Sequence, residues 1–119
     1  MENKIKIGIS QGDINGIGYE VILKTLEDNR ILDMCVPIVY GSPKVAAYHR
    51  KVLDLSVNLN LINSAAEAND KRANIINCNS DEIKVEISQS TEAAGTAAFQ
   101  ALEKAAADLK AGAIDALAL

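Results

Sequence analysis

The chain has 119 residues, 49% hydrophobic but only 3% aromatic, enough for one domain with an aliphatic core of Ile, Leu, Val and Ala. A formal net charge of −4, with no Lys/Arg cluster, argues against a nucleic-acid partner. No apolar stretch is long enough for a signal peptide or a membrane span, so the expectation is a soluble cytoplasmic protein without a membrane partner.

The predicted elements alternate. "KIKIGIS" (4–10) is a short β-branched run and reads as a strand. A helix follows over 16–29, where Val21, Ile22, Leu23 and Leu26 fall near helical spacing. "MCVPIVYG" (34–41) reads as a buried strand, with Pro37 arguing for an edge position or a strand start. Ser42 as N-cap and Pro43 at the first helical position open a helix over 42–55. Residues 57–62 alternate as a half-buried strand, 63–72 are small and polar as in a loop, and 73–78 form another short strand. Residues 80–88 read as a strand or an extended connection.

The clearest helix spans 90–112, capped by Ser90 or Thr91 and closed by Gly112. Its apolar stripe is Ala94, Ala98, Ala101, Leu102, Ala105 and Leu109, and that much alanine implies close packing. "AIDALAL" (113–119) reads as a final strand. Together these predict an α/β fold, a mostly parallel sheet flanked by helices. An apolar strand running to Leu119 suggests a chain cut short, because ligand-binding loops follow such strands.

The junction of the first strand and helix carries Gly12, Gly16 and Gly18 around Asp13 and Asn15. Glycines there let a ligand approach bare backbone, and a helix N-terminus presents free N–H groups to an anion. Asp13 and Asn15 could cap the helix or hydrogen-bond a hydroxyl. The spacing is neither G-x-G-x-x-G nor a P-loop, so by itself it fits a helix-capping turn as well as a site.

In context the stretch is more specific. "GISQGDINGIGYEVILKTL" resembles the N-terminal motif of the 4-hydroxythreonine-4-phosphate dehydrogenase (PdxA) family, a strand followed by G-[DE]-P-A-G-I-G-P-E and an apolar helix. Gly12, Asp13, Gly16, Ile17, Gly18 and Glu20 match, while Ile14, Asn15 and Tyr19 depart. "VYGSPKV" resembles the family's second strand and following helix. "AGTAAFQALEKAAADLKAGAIDALAL" resembles its Gly-x-x-Ala-aromatic helix and the strand after it. The opening motif is also similar to the turn of isocitrate and isopropylmalate dehydrogenases, which share the broader two-domain fold.

The resemblance implies the N-terminal α/β segment of a larger homodimeric enzyme, with the second domain and a C-terminal return segment outside residues 1–119. That enzyme would oxidise and decarboxylate a small phosphorylated hydroxy acid, 4-hydroxythreonine 4-phosphate, in pyridoxal phosphate (vitamin B6) biosynthesis. It would use NAD or NADP and a divalent metal (Zn, Mg or Co) held by residues outside this chain, and this segment alone would be inactive. The loop residues Gly12, Asp13, Asn15, Gly16, Gly18 and Glu20 would face the interdomain cleft and bind cofactor or substrate; no catalytic or metal-binding residue is expected within 1–119. A related sugar-acid phosphate dehydrogenase, or a non-catalytic module holding a small anion at the loop, are the alternatives.

Other chemistry-bearing residues read as structural. Cys35 and Cys78 form no metal-type pair and are expected as buried, reduced thiols. His49, the single histidine, sits in a basic helical stretch and reads as a packed or surface side chain. Asp81, Glu82, Glu86 and Glu92 suggest a solvated face, and Asp115 reads as a cap or hydrogen-bonding group.

Overall fold

The computed structural model describes residues 4–11, 18–78 and 92–118. The elements run β1 (Ile5–Ser10), α1 (Gly18–Leu26), α2 (Asn29–Met34), β2 (Cys35–Gly41), α3 (Pro43–Val52), β3 (Asn60–Ile62), β4 (Asn74–Asn77), α4 (Glu92–Ala111) and β5 (Ala116–Ala118). A 3-10 turn at Ala65–Glu67 lies between β3 and β4. All pairings are parallel, in the order β3-β4-β2-β1-β5.

β2 lies in the middle because it is apolar on both faces: Val36 to Gly41 are buried without a break. Val39 and Ile75 meet Leu23 and Leu26 of α1, Ile31 and Leu32 of α2, and Val45 and Ala46 of α3. On the opposite face Ile38, Tyr40 and Ile76 meet Ala101 and Ala105 of α4, with Ala65 of the 3-10 turn. Each sheet face therefore has its own core, as expected for an α/β layer structure.

Pro37 stands inside this central strand, not at an edge. Its carbonyl accepts from the Asn74 side-chain amide (3.3 Å), so that side of Pro37 faces β4. Backbone pairing with β4 begins only at Ile38, opposite Asn74. The N–H that proline lacks thus falls where no ladder partner is due.

Several boundaries differ from the sequence reading. α2 was not foreseen; Asp28 caps it by accepting from the Arg30 N–H at 3.0 Å. The expected strand 57–62 forms only over Asn60–Ile62, while Val57 and Leu59 turn into the core beneath the helices. The expected loop 63–72 contains the 3-10 turn. In α4 the buried seam is Ala101 and Ala105, and Leu102 and Leu109 sit on the exposed flank, at 38% and 39% exposure. The readings of 80–88 and of the caps Ser90 and Thr91 lie outside the described residues.

Candidate functional site

A fully parallel sheet puts every carboxyl end on one side. There Ser10, Gly41, Ile62, Asn77 and Ala118 finish their strands. The connections from β1 and β2 carry α1, α2 and α3 on one face, whereas the β4-to-β5 connection carries α4 across the other. The strand order therefore reverses between β1 and β5, the position at which open α/β sheets hold their ligands. The glycine-rich stretch leaves β1 at that point.

Of the sequence-predicted site residues, Gly12, Asp13, Asn15 and Gly16 lie outside the described residues. Gly18 opens α1. Glu20 lies in the first turn of α1, where its Oε1 accepts from Lys24 Nζ at 2.8 Å along the same helix face. A carboxylate in the first turn favours the positive end of the helix dipole. Here it is partly neutralised by an exposed i,i+4 pair.

Gln11, which the sequence reading passed over, forms the floor of this end of the sheet. It is buried (1% exposed). Its backbone N–H donates to the Tyr40 carbonyl at 3.1 Å, extending the β1–β2 ladder by one step. Its Oε1 accepts from the Ser42 N–H at 3.1 Å. Ser42 in turn caps α3, its hydroxyl accepting from the Val45 N–H at 3.3 Å with Pro43 at the first position. Gln11 thus ties the root of the glycine stretch to the start of α3. A single polar residue at a strand end carries no pattern, which is why the sequence does not reveal it.

Below Gln11, on the α4 face, Tyr40 donates its hydroxyl to Asp108 Oδ2 at 2.6 Å, and Lys104 Nζ lies 3.6 Å from Asp108 Oδ1. Burial and the neighbouring carboxylate push the Tyr40 hydroxyl well above its ordinary value. Cys78 leaves β4 nearby. Burial pushes its thiol up to about 11, against the pull of Lys104. Such a thiol is a poor nucleophile at neutral pH. Burial raises Cys35 as well, and both cysteines are free thiols, half-buried rather than fully enclosed.

Asp115 acts as the hydrogen-bonding group expected of it. Its Oδ2 accepts from the Lys6 N–H at 2.9 Å while its own N–H donates to the Lys6 carbonyl, opening the β1–β5 pairing at the amino end of the sheet. His49 is half-buried in the last turn of α3 and packs edge-to-face on Tyr48 at 5.3 Å. Among the described residues no three His, Cys, Asp or Glu side chains converge as a metal site. No helix of the described residues is long and apolar enough to cross a membrane.

The family described as "Pyridoxal phosphate biosynthetic protein PdxA" matches residues 33–119. The chain belongs to the PdxA family. It is 56% identical over 98% of its length to a 4-hydroxythreonine-4-phosphate dehydrogenase of Bacteroides thetaiotaomicron, covering 32% of that relative. It is 32% identical over 99% of its length to a putative D-threonate 4-phosphate dehydrogenase of Clostridium botulinum (strain Hall), covering 36% of it. Among solved structures, a 4-hydroxythreonine-4-phosphate dehydrogenase from Burkholderia phymatum superposes with a TM-score of 0.86 at 28% identity, over 98% of this chain and 36% of that one. The chain therefore spans about a third of the length of these PdxA relatives, and its sheet and helices are the α/β arrangement of the isocitrate/isopropylmalate dehydrogenase-like fold.

Proposed function

We propose that residues 1–119 are the N-terminal α/β segment of an NAD(P)-dependent dehydrogenase that oxidises and decarboxylates 4-hydroxythreonine 4-phosphate in pyridoxal phosphate biosynthesis. The observation that carries this reading is the 56% identity over nearly the whole chain to the Bacteroides dehydrogenase. In this reading the Gly12–Glu20 stretch faces the cleft and offers backbone donors to cofactor or substrate. The dinucleotide supplies the hydride acceptor and a divalent metal the Lewis acid, with the metal's ligands on other parts of the protein. The whole enzyme is a cytoplasmic homodimer without nucleic-acid or membrane partners.

Two surfaces support the assignment of a segment. Among the described residues β5 pairs with β1 alone, on one of its two edges. On α4, Phe99, Leu102 and Leu109 form an exposed apolar flank, Phe99 at 63% exposure. Lys104 and Asp108 occupy the flank of α4 beside Tyr40 and Cys78, which places Phe99 and its neighbours away from β4. An edge strand and an apolar helix flank are the surfaces that a second domain and a returning C-terminal segment would cover.

A second reading rests on the 32% identity to the putative D-threonate 4-phosphate dehydrogenase. The test is a reduced-dinucleotide assay on the full-length gene product with 4-hydroxy-L-threonine 4-phosphate and D-threonate 4-phosphate, each with NAD and NADP and with added Zn, Mg or Co. Preferred turnover of the first substrate supports the main reading. Preferred turnover of the second establishes the alternative, and no turnover of either overturns both. The 119-residue chain alone is expected to be inactive.

A further inference from the structure

On the face of the sheet opposite α4 a cavity of about 120 Å³ opens between α3 and the β3 side of the sheet. Leu23, Val57 and Ile75, all nearly fully buried, line it together with Ala46 of α3. Leu61 of the edge strand β3 forms part of its outer wall and is 60% exposed. The charged group among its lining residues is Arg50, one turn along α3 from Ala46 and Ala47. Arg50 pairs with no carboxylate among the described residues.

We infer that this cavity binds a small carboxylate bearing a short branched or aromatic apolar group. Three observations converge on that class. The volume suits a group of a few carbons; an apolar cavity of ~150 Å³ is enough for a benzene ring. Among the described lining residues, the uncharged polar side chain is Asn58 and the rest, Arg50 apart, are apolar. Arg50 supplies a single planar cation, and guanidinium matches carboxylate in geometry and charge. Leu61 stands at the outer wall, so a ligand seated in the cavity would cover part of its exposed apolar surface.

The test titrates the protein with isovalerate and with isoamyl alcohol, its neutral counterpart, following the methyl NMR signals of Leu23, Val57, Leu61 and Ile75. Isovalerate is expected to shift these signals saturably with a dissociation constant in the low-millimolar range, as its few heavy atoms allow. The alcohol should bind roughly three-fold more weakly, the share of an exposed cation. Arg50→Gln, at an exposed position that leaves the fold unchanged, should abolish the difference between acid and alcohol. Leu61→Ala should weaken both ligands alike. Shifts that never saturate, equal binding of acid and alcohol by the unaltered protein, or an acid preference that survives Arg50→Gln would each overturn the inference.

Discussion

Tyr40 and Asp108, 68 residues apart, are joined by a 2.6 Å hydrogen bond that fastens the middle of the sheet to α4. Tyr40 is fully buried, so its hydroxyl needs a partner there, and Asp108 is the one it has. Tyr40→Phe keeps the ring packing but leaves Asp108 with only its looser contact to Lys104. The expected loss is about 1.5–3 kcal/mol, the range for a hydrogen bond to a charged group, measured by denaturant unfolding. The linkage also has a sign. Folding raises the Tyr40 pKa, so the neutral hydroxyl contributes stability below the unfolded value of 10.0 and loses it as pH rises beyond. Wild type should lose more stability than Tyr40→Phe above about pH 10.

α3 and α4 end in the same hydrogen-bond pattern with different residues at the critical position. After α3, Leu55 N–H donates to the Arg50 carbonyl and Asp54 N–H to the Lys51 carbonyl. After α4, Ala113 N–H donates to Asp108 and Gly112 N–H to Leu109 in the same way. The pattern requires a left-handed residue, and Gly112 has φ +80° while Asp54 has φ 53°. Asp54→Gly should therefore raise the melting temperature, by the equivalent of about 1 kcal/mol. Gly112→Ala has open space for its methyl group yet should cost a similar amount, because the strain lies in the backbone.

Asn74 is the polar hub of the core. Fully buried, its Oδ1 accepts from the Asn60 side chain (3.1 Å) and the Asn69 N–H (2.9 Å). Its Nδ2 donates to the Arg72, Asn69 and Pro37 carbonyls. It thus shapes the turn before β4 and satisfies the Pro37 carbonyl. Asn74→Leu matches its bulk but strands several backbone groups, and should cost about 2–4 kcal/mol by urea unfolding. Asn74→Asp keeps the acceptor and loses the donor, so it should be no milder.

How much of this was legible in the sequence depends on the range of the signal. The five strands of the sheet and the helices α1, α3 and α4 are written in local periodicity, and Ser42–Pro43 and Gly112 mark their ends by chemistry that acts over a few residues. α2 escaped because six residues give no period; only the Asp28 cap announces it. Pro37 left two alternatives open because an edge strand and the unpaired start of a central strand make the same demand on a missing N–H, and only the sheet order selects the second. For the site, the glycine junction is a reading of the sequence alone, since Gly12, Asp13, Asn15 and Gly16 lie outside the described residues. Gln11 and the Tyr40–Asp108 bond were not legible there, because their meaning lies in partners 31 and 68 residues away.

Asp28 gives a prediction whose acid limb is specific. Its carboxylate caps α2 and takes the Arg30 guanidinium at 2.8 Å, on a surface open to solvent. The Arg30 side-chain hydrogen bond, followed by the Arg30 N–H, holds the carboxyl down from 3.8 to about 2. A lowered pKa means that the contribution is complete above 3.8 and disappears as pH falls toward 2. Asp28→Asn retains an acceptor for the Arg30 N–H but has no charge to titrate. The difference in melting temperature between wild type and Asp28→Asn should be constant near neutrality and shrink across that acid window. Because the pair is exposed, added salt should narrow the difference at neutral pH as well. A difference unchanged down to pH ~2 would show that Asp28 stabilises α2 as a cap alone, with no contribution from its charge.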